Sequence, residues 1–118
     1  MQETATQSPE KEISRGVVAT YKEYLGRGAT VARTEIGTDH VVTILEDGLT
    51  KAERRLISEE EEETVREIRR KFQAAMRRDI IDLVERATGR KAKSFLSDHD
   101  VHTDTAVEVV VFESEATG

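Results

Sequence analysis

The residues best equipped for chemistry lie in Asp98-His99-Asp100-Val101-His102-Thr103-Asp104, where two imidazoles alternate with carboxylates. Imidazole and carboxylate are both competent ligands for a divalent transition metal, so this stretch could carry a metal-dependent reaction. The remaining histidine, His40, is far away in sequence. Two imidazoles three residues apart do not by themselves supply the third and fourth ligands of a tight zinc site. The same residues also compose an acidic, polar turn. The expectation is therefore that His99 and His102 hold no metal and that the chain uses no cofactor.

A second set is cationic. Arg66, Arg69, Arg70, Arg77 and Arg78 fall off the apolar stripe of a long helix and could grip phosphates or an acidic partner. Alternatively they pair with glutamates on their own or a neighbouring helix, each pair contributing about 0.2–0.5 kcal/mol. Glu67, Asp82 and Glu85 are at hand for this. A third candidate, Gly26-Arg27-Gly28, could present backbone N–H groups and a guanidinium to an anion, but lacks the length and the Lys-Ser/Thr of a P-loop. No Ser-His-Asp set, metal-binding helix or paired-carboxylate cleft has spacing support. The chain is expected not to be an enzyme.

The elements that must position these residues are organised around Ser58–Thr88. There Val65, Ile68, Phe72, Met76, Ile80, Leu83, Val84 and Ala87 recur at steps of three and four, drawing one apolar stripe along a helix. Ser58 with Glu61 has capping-box spacing, and Gly89 supplies a left-handed terminator. At about 1.5 Å per residue the helix would span roughly 45 Å, long enough to outrun one small core. Before it, Glu10–Leu25 has helical spacing and stops at Gly26. Val31–Ile36 and His40–Glu46 read as strands around the turn Gly37-Thr38-Asp39. Thr50 with Glu53 is another capping-box spacing, opening a short helix, with Leu49 before it. After Gly89, Lys91–Leu96 reads as a strand, Ser97–Thr105 as a polar loop and Ala106–Glu113 as a strong strand. The fold class is thus α+β, in the order α-β-β-α-α-β-β, with an antiparallel four-stranded sheet packed on one long helix. Residues 10–113 form the single domain, 1–9 a disordered tail and 114–118 a second tail.

Composition narrows the function classes. In 118 residues, 36% are hydrophobic, 36% charged and 4% aromatic, with a net charge of −6. A lean core under an acidic, aromatic-poor surface argues against a nucleic-acid binder. There is no cysteine, hence no disulfide framework or thiol nucleophile. No apolar run approaches the roughly 20 residues of a membrane span, so no direct membrane insertion is expected, and the cytoplasm is the default address. Val107, Val109, Val110 and Val111 offer apolar side chains to both faces of their strand. Together with the overlong helix, this predicts a homodimer.

Larger blocks carry a family likeness. Lys22-Glu23-Tyr24-Leu25-Gly26-Arg27-Gly28, Val31-x-Arg33-Thr34 and Leu45-x-Asp47-Gly48-Leu49-Thr50-x-Ala52-Glu53-x-x-Leu56 resemble the bacterial MpsC-like family, named for a sodium-translocating, membrane-potential-generating system. The likeness continues through the long helix, Thr88-Gly89-Arg90 and Ser97-x-x-Asp100-Val101 to Val109-Val110-Val111-Phe112. It covers roughly Lys11 to Phe112. One departure stands out: the family's last hairpin usually carries a glycine and a glutamate near the turn, where this chain has Ala106-Val107.

A chain without a membrane span cannot move an ion across a bilayer alone. The resemblance therefore implies an accessory or regulatory binding protein, possible partner of a membrane complex for ion or bicarbonate movement and peripheral to the membrane through it. The alternatives are an anion or small-molecule sensor and a metal-dependent enzyme. Tyr24, Arg27, Gly28 and Arg33 fall in the most family-like block and exceed what a helix cap needs, so they are the expected ligand- or partner-binding surface.

Overall fold

The computed structural model describes residues 8–115. Helix α1 runs from Pro9 to Leu25. Ser8 caps it, its hydroxyl accepting from the Lys11 N–H at 3.2 Å, and Pro9 takes the first turn, where its missing N–H costs nothing. Gly26 ends it at φ 81°, its N–H closing on the Lys22 carbonyl at 2.8 Å. Ser8 and Pro9 thus belong to the helix; residues 1–7 and 116–118 of the expected tails lie outside the described residues.

Strands β1 (Val31–Ile36), β2 (His40–Glu46), β3 (Ala92–Asp100) and β4 (Thr105–Phe112) form one antiparallel sheet in the order β1-β2-β4-β3. Two further helices, α2 (Lys51–Ser58) and α3 (Glu62–Thr88), connect β2 to β3. The α+β class and the element order are those expected. The last hairpin differs: β3 extends to Asp100, and the polar loop shrinks to a turn at 101–104. Ser97 and His99 pair opposite Glu108 and Ala106 on the helix-facing side. Polar residues at inward positions had masked the two-residue alternation of the strand.

The boundary between α2 and α3 also differs. Ser58 ends α2, its hydroxyl donating to the Arg55 carbonyl at 2.7 Å, and so caps nothing beyond it. The Glu61 N–H reaches back to the Leu56 carbonyl at 2.8 Å, while Glu60 adopts φ 64°. This is the Schellman closure with glutamate where glycine is usual. Helix α3 then starts without a side-chain cap. The short helix keeps its own expected capping box, with Thr50 and Glu53 bonded reciprocally.

Both long helices lie on one face of the sheet. Ile13, Val17 and Tyr21 of α1 and Met76, Ile80, Leu83 and Val84 of α3 pack on Val41, Leu45, Ala106, Val110 and Phe112. The helices approach closely at Gly16, where a Cβ would meet Leu83 Cδ2 at 2.4 Å. A smaller cluster of Leu49, Val65 and Val101, flanked by Leu56 and Ile57, covers the first turns of α3. The overhang expected of the long helix is therefore sheathed within the chain by α2 and the β3–β4 turn, which removes one of the two arguments for a dimer.

Glu60 gives the first testable expectation. A left-handed non-glycine residue carries strain that glycine does not. Glu60→Gly should raise the urea midpoint, stabilising by on the order of 1 kcal/mol. An unchanged or lower midpoint would show that the Glu60 side chain supplies something the backbone argument omits.

Candidate functional site

Three chain reversals meet at one end of the sheet, and two aspartates knit them. Asp47 and Asp104 both adopt left-handed backbone, φ 63° and 54°, a conformation aspartate tolerates better than most residues. The Asp47 carboxylate accepts from Thr30 Oγ1 at 2.9 Å, Arg54 at 2.6 Å and Arg27 at 3.1 Å. The Thr30 hydrogen bond, then the two guanidinium charges, hold this carboxyl below the usual carboxylate range. Asp104 accepts from the Leu49 N–H at 3.1 Å and pairs with Arg54 and His99.

Beneath this surface knot lies a buried ion pair. Arg69 Nε donates to Glu53 Oε2 at 2.7 Å and Nη2 to Oε1 at 2.6 Å, with a further bond from Nη2 to the Gly48 carbonyl at 2.9 Å. Their side chains are 1% and 5% exposed. Glu53 also accepts from the Thr50 N–H and hydroxyl, so one carboxylate caps α2 and anchors α3. Burial alone would raise the Glu53 carboxyl; the hydrogen bonds from Arg69 and Thr50 outweigh it and hold it low. The expectation that Arg69 lies on the solvent side is corrected here. It occupies the inward stripe one turn after Val65, and Gln73 one turn further, both buried, while Ile68 and Phe72 are half-covered.

Beyond Arg69 the polar interior continues. Tyr21 donates a hydrogen bond to Glu108, and Arg69 lies 5.9 Å from the Tyr21 ring centre. Burial pushes the Glu108 carboxyl up to about 7 and the Tyr21 phenol above its ordinary value. His99 Nε2 meets Asp104 Oδ1 at 3.0 Å, and burial, then the Arg69 charge, lowers the imidazole below its usual range. A neutral His99 donates from Nε2 to this carboxylate, leaving Nδ1 as an acceptor.

The four residues expected to form a binding surface are placed differently from one another. Tyr24 turns to α3, its hydroxyl donating to Asp79 at 2.9 Å. Arg27 donates to the Asp47 carbonyl at 2.9 Å besides its ion pair. A Cβ on Gly28 would meet Val18 Cγ1 at 2.7 Å and the Val18 carbonyl at 3.0 Å, so the loop can approach α1 only as glycine. Arg33 pairs with Glu46 at 2.8 Å, on the side of the sheet away from the helices. Arg27 and Gly28 thus have partners inside the fold, and only Arg33 is on the uncovered face.

The histidine segment separates likewise. His99 points into the core, whereas exposed His102 meets Glu62 and Arg66, each at 3.3 Å. Among the helix arginines, Arg66 and Arg70 reach Glu63 of their own helix, and Arg77 lies over the Phe95 ring at 5.8 Å. Open grooves of about 530 and 700 Å³ flank the β3–β4 turn.

Sequence reasoning missed Glu108, Gln73 and the inward role of Arg69. A signal existed for each. Glu108 is in phase with Ala106, Val110 and Phe112, while Arg69 and Gln73 continue from Val65 at four-residue steps.

The family profile described as "Na+-translocating membrane potential-generating system (MpsC)" matches residues 5–114. The chain is 32% identical over 107 residues to "Uncharacterized protein YbcI" of Bacillus subtilis (strain 168), covering 90% of this chain and 85% of that protein. No solved structure matches it.

The ion pair yields a double-mutant test. Arg69→Met alone leaves Glu53 buried beside no cation and should cost on the order of 3–5 kcal/mol in chemical unfolding. Adding Glu53→Gln removes the stranded charge while keeping an acceptor for Thr50, so the double variant should recover part of that loss. A double variant no more stable than Arg69→Met would contradict the assignment.

Proposed function

The chain belongs to the MpsC family, and from that premise we propose that it is a non-catalytic accessory or regulatory protein of a membrane-potential-generating system, acting by binding as a homodimer. Among the described residues no helix is long and apolar enough to cross a membrane. The family description names a whole system, and this reading assigns the chain to the components that bind rather than translocate.

One observation carries it: the sheet face opposite the helices is apolar at its centre. Along β4, Ala106, Glu108, Val110 and Phe112 turn to the helices, which leaves Val107, Val109 and Val111 on the other side. The register sets Ile44, Val42 and Leu96 beside them, and Leu96 is 56% exposed. Arg33 and Glu35 of β1, Glu46 at the end of β2 and Asp98 of β3 surround them on the same face. Six aliphatic side chains inside a charged rim are the make-up of an interface rather than of a solvated sheet surface.

A second copy is the occupant that fits. Two twisted sheets pack face to face about 10 Å apart, and a two-fold axis brings the same valine-rich strand to both sides. Arg33, paired at present with Glu46 of its own neighbouring strand, is then within reach of the partner's rim. The remaining surface, including the knot around Asp47, stays available to the membrane system.

Sedimentation at micromolar concentration should give twice the chain mass for the wild type. Val109→Glu should give the monomer mass with unchanged circular dichroism. In a native host lacking this protein, a potential-sensitive dye should report a smaller membrane potential, restored by the wild type but not by Val109→Glu. A monomeric wild type, or full rescue by a monomeric variant, would contradict the reading.

A further inference from the structure

Across the helix-facing side of the sheet the strand register lines up polar residues from every strand. Thr34 pairs with Thr43, Thr43 with Glu108, and Glu108 with Ser97. The first part of this row is closed by direct bonds: Ser14 Oγ to Thr34 Oγ1 at 2.7 Å, and Thr34 Oγ1 to Thr43 Oγ1 at 2.9 Å. The second part is not. Arg69 Nη1, Gln73 Nε2, Ser97 Oγ, His99 Nδ1 and Glu108 Oε1 are all buried, and none makes a well-formed hydrogen bond among the described residues, although Ser97 lies close enough to Glu108, and Gln73 to Tyr21, to lower their proton affinities. They belong to residues that meet between α3 and the β3–β4 hairpin. Ser97 is the strand partner of Glu108, His99 follows two positions along the same strand, and Arg69 and Gln73 are one helical turn apart.

Leaving so many buried polar atoms unmet would cost on the order of 1–3 kcal/mol each, a sum comparable to the whole stability of a small domain. Their chemistry indicates what meets them. Arg69 Nη1 and Gln73 Nε2 can only donate; His99 Nδ1 in its neutral form can only accept; Glu108 Oε1 accepts when ionised and can donate when protonated, and Ser97 Oγ does both. Arg69 is already neutralised by Glu53, so the set has no standing call for a second ion. A neutral molecule with two donors and two acceptors matches it, and water is the smallest.

We propose that the space between α3 and the β3–β4 hairpin is an internal hydrated site, in which ordered water joins Arg69, Gln73, Ser97, His99 and Glu108, and the Tyr21–Glu108 pair holds one exchangeable proton. The groups that act on this proton are Tyr21 from α1, Arg69 and Gln73 from α3 and Ser97 from β3, while Glu53 neutralises Arg69 and Asp104 holds His99 behind it. Glu108, pushed up to about 7 by burial, binds its proton more tightly folded than unfolded. Its contribution to stability is therefore complete below its unfolded value near 4.5 and is lost as pH rises toward 7. His99 acts in the opposite sense: its lowered value gives stability above about 6.5 that fades as pH falls. The Glu108 part must accordingly be read as a difference from Glu108→Gln.

The test uses the full chain in solution. Carboxyl-carbon NMR should show Glu108 titrating near neutral pH, and water-selective NOE spectra should show bound water contacting the Gln73 side-chain amide. Between about pH 5 and 7.5 the melting temperature of Glu108→Gln should rise relative to that of the wild type as pH increases, because the wild type alone loses the Glu108 contribution. If that variant fails to fold, Ser97→Ala keeps the test open, because it should weaken the water NOE at Gln73 while leaving the fold intact. A Glu108 carboxyl titrating near 4.5, or a Gln73 amide with no water contact in the wild type, would overturn the proposal.

Discussion

A four-stranded sheet has two faces, and this chain has helices for only one. Because α1 and α3 both pack on the same side, everything the inner face carries must be satisfied inside a single layer of helix. Everything on the outer face meets whatever lies beyond the chain. Strand β4 shows the division residue by residue, with Ala106, Glu108, Val110 and Phe112 inward and Val107, Val109 and Val111 outward. A strand exposed to water on one face normally alternates apolar with polar. This strand is apolar inward except at Glu108 and carries valines outward, where a solvated strand would carry polar residues.

The inner layer accommodates its polar residues by pairing them. Arg69 and Glu53 neutralise one another, and through Thr50 and Gly48 they fix where α2 and the loop before it sit on α3. A buried pair of this kind adds little net stability over apolar residues of the same size. What it adds is position: Glu53 satisfies Thr50 and Arg69 simultaneously only if both helices are in register. The Asp47–Asp104 knot fastens the same end of the sheet from outside.

Much of this was legible in the sequence, and the exceptions share a cause. The stripe through Met76, Ile80 and Leu83, the Thr50–Glu53 box, the Gly26 and Gly89 terminators and strand β2 all follow rules of spacing in which side-chain type and burial agree. Where they disagree, the reading failed. Ser97 and His99 look like loop residues because they are polar, yet they face inward on a strand. Arg69 looks like surface because it is charged, yet it is buried beside Glu53. Glu60 takes a left-handed conformation that no glycine announced. Arg27 and Gly28 read as surplus to a helix cap because their partners, Asp47 and Val18, are distant in the chain or hidden in the loop's approach to α1. Each case turns on a tertiary contact, which local pattern does not record.

The central claim, that binding across the open sheet face is what this MpsC-family chain does, reduces to whether that face is covered in solution. Methyl NMR with a soluble paramagnetic chelate measures this directly. Under the homodimer account, the methyls of Val42, Ile44, Val107, Val109 and Val111 should relax as slowly as those of Val41 and Val110, which face the helices. Strong relaxation of the first set, with the second protected, would contradict it.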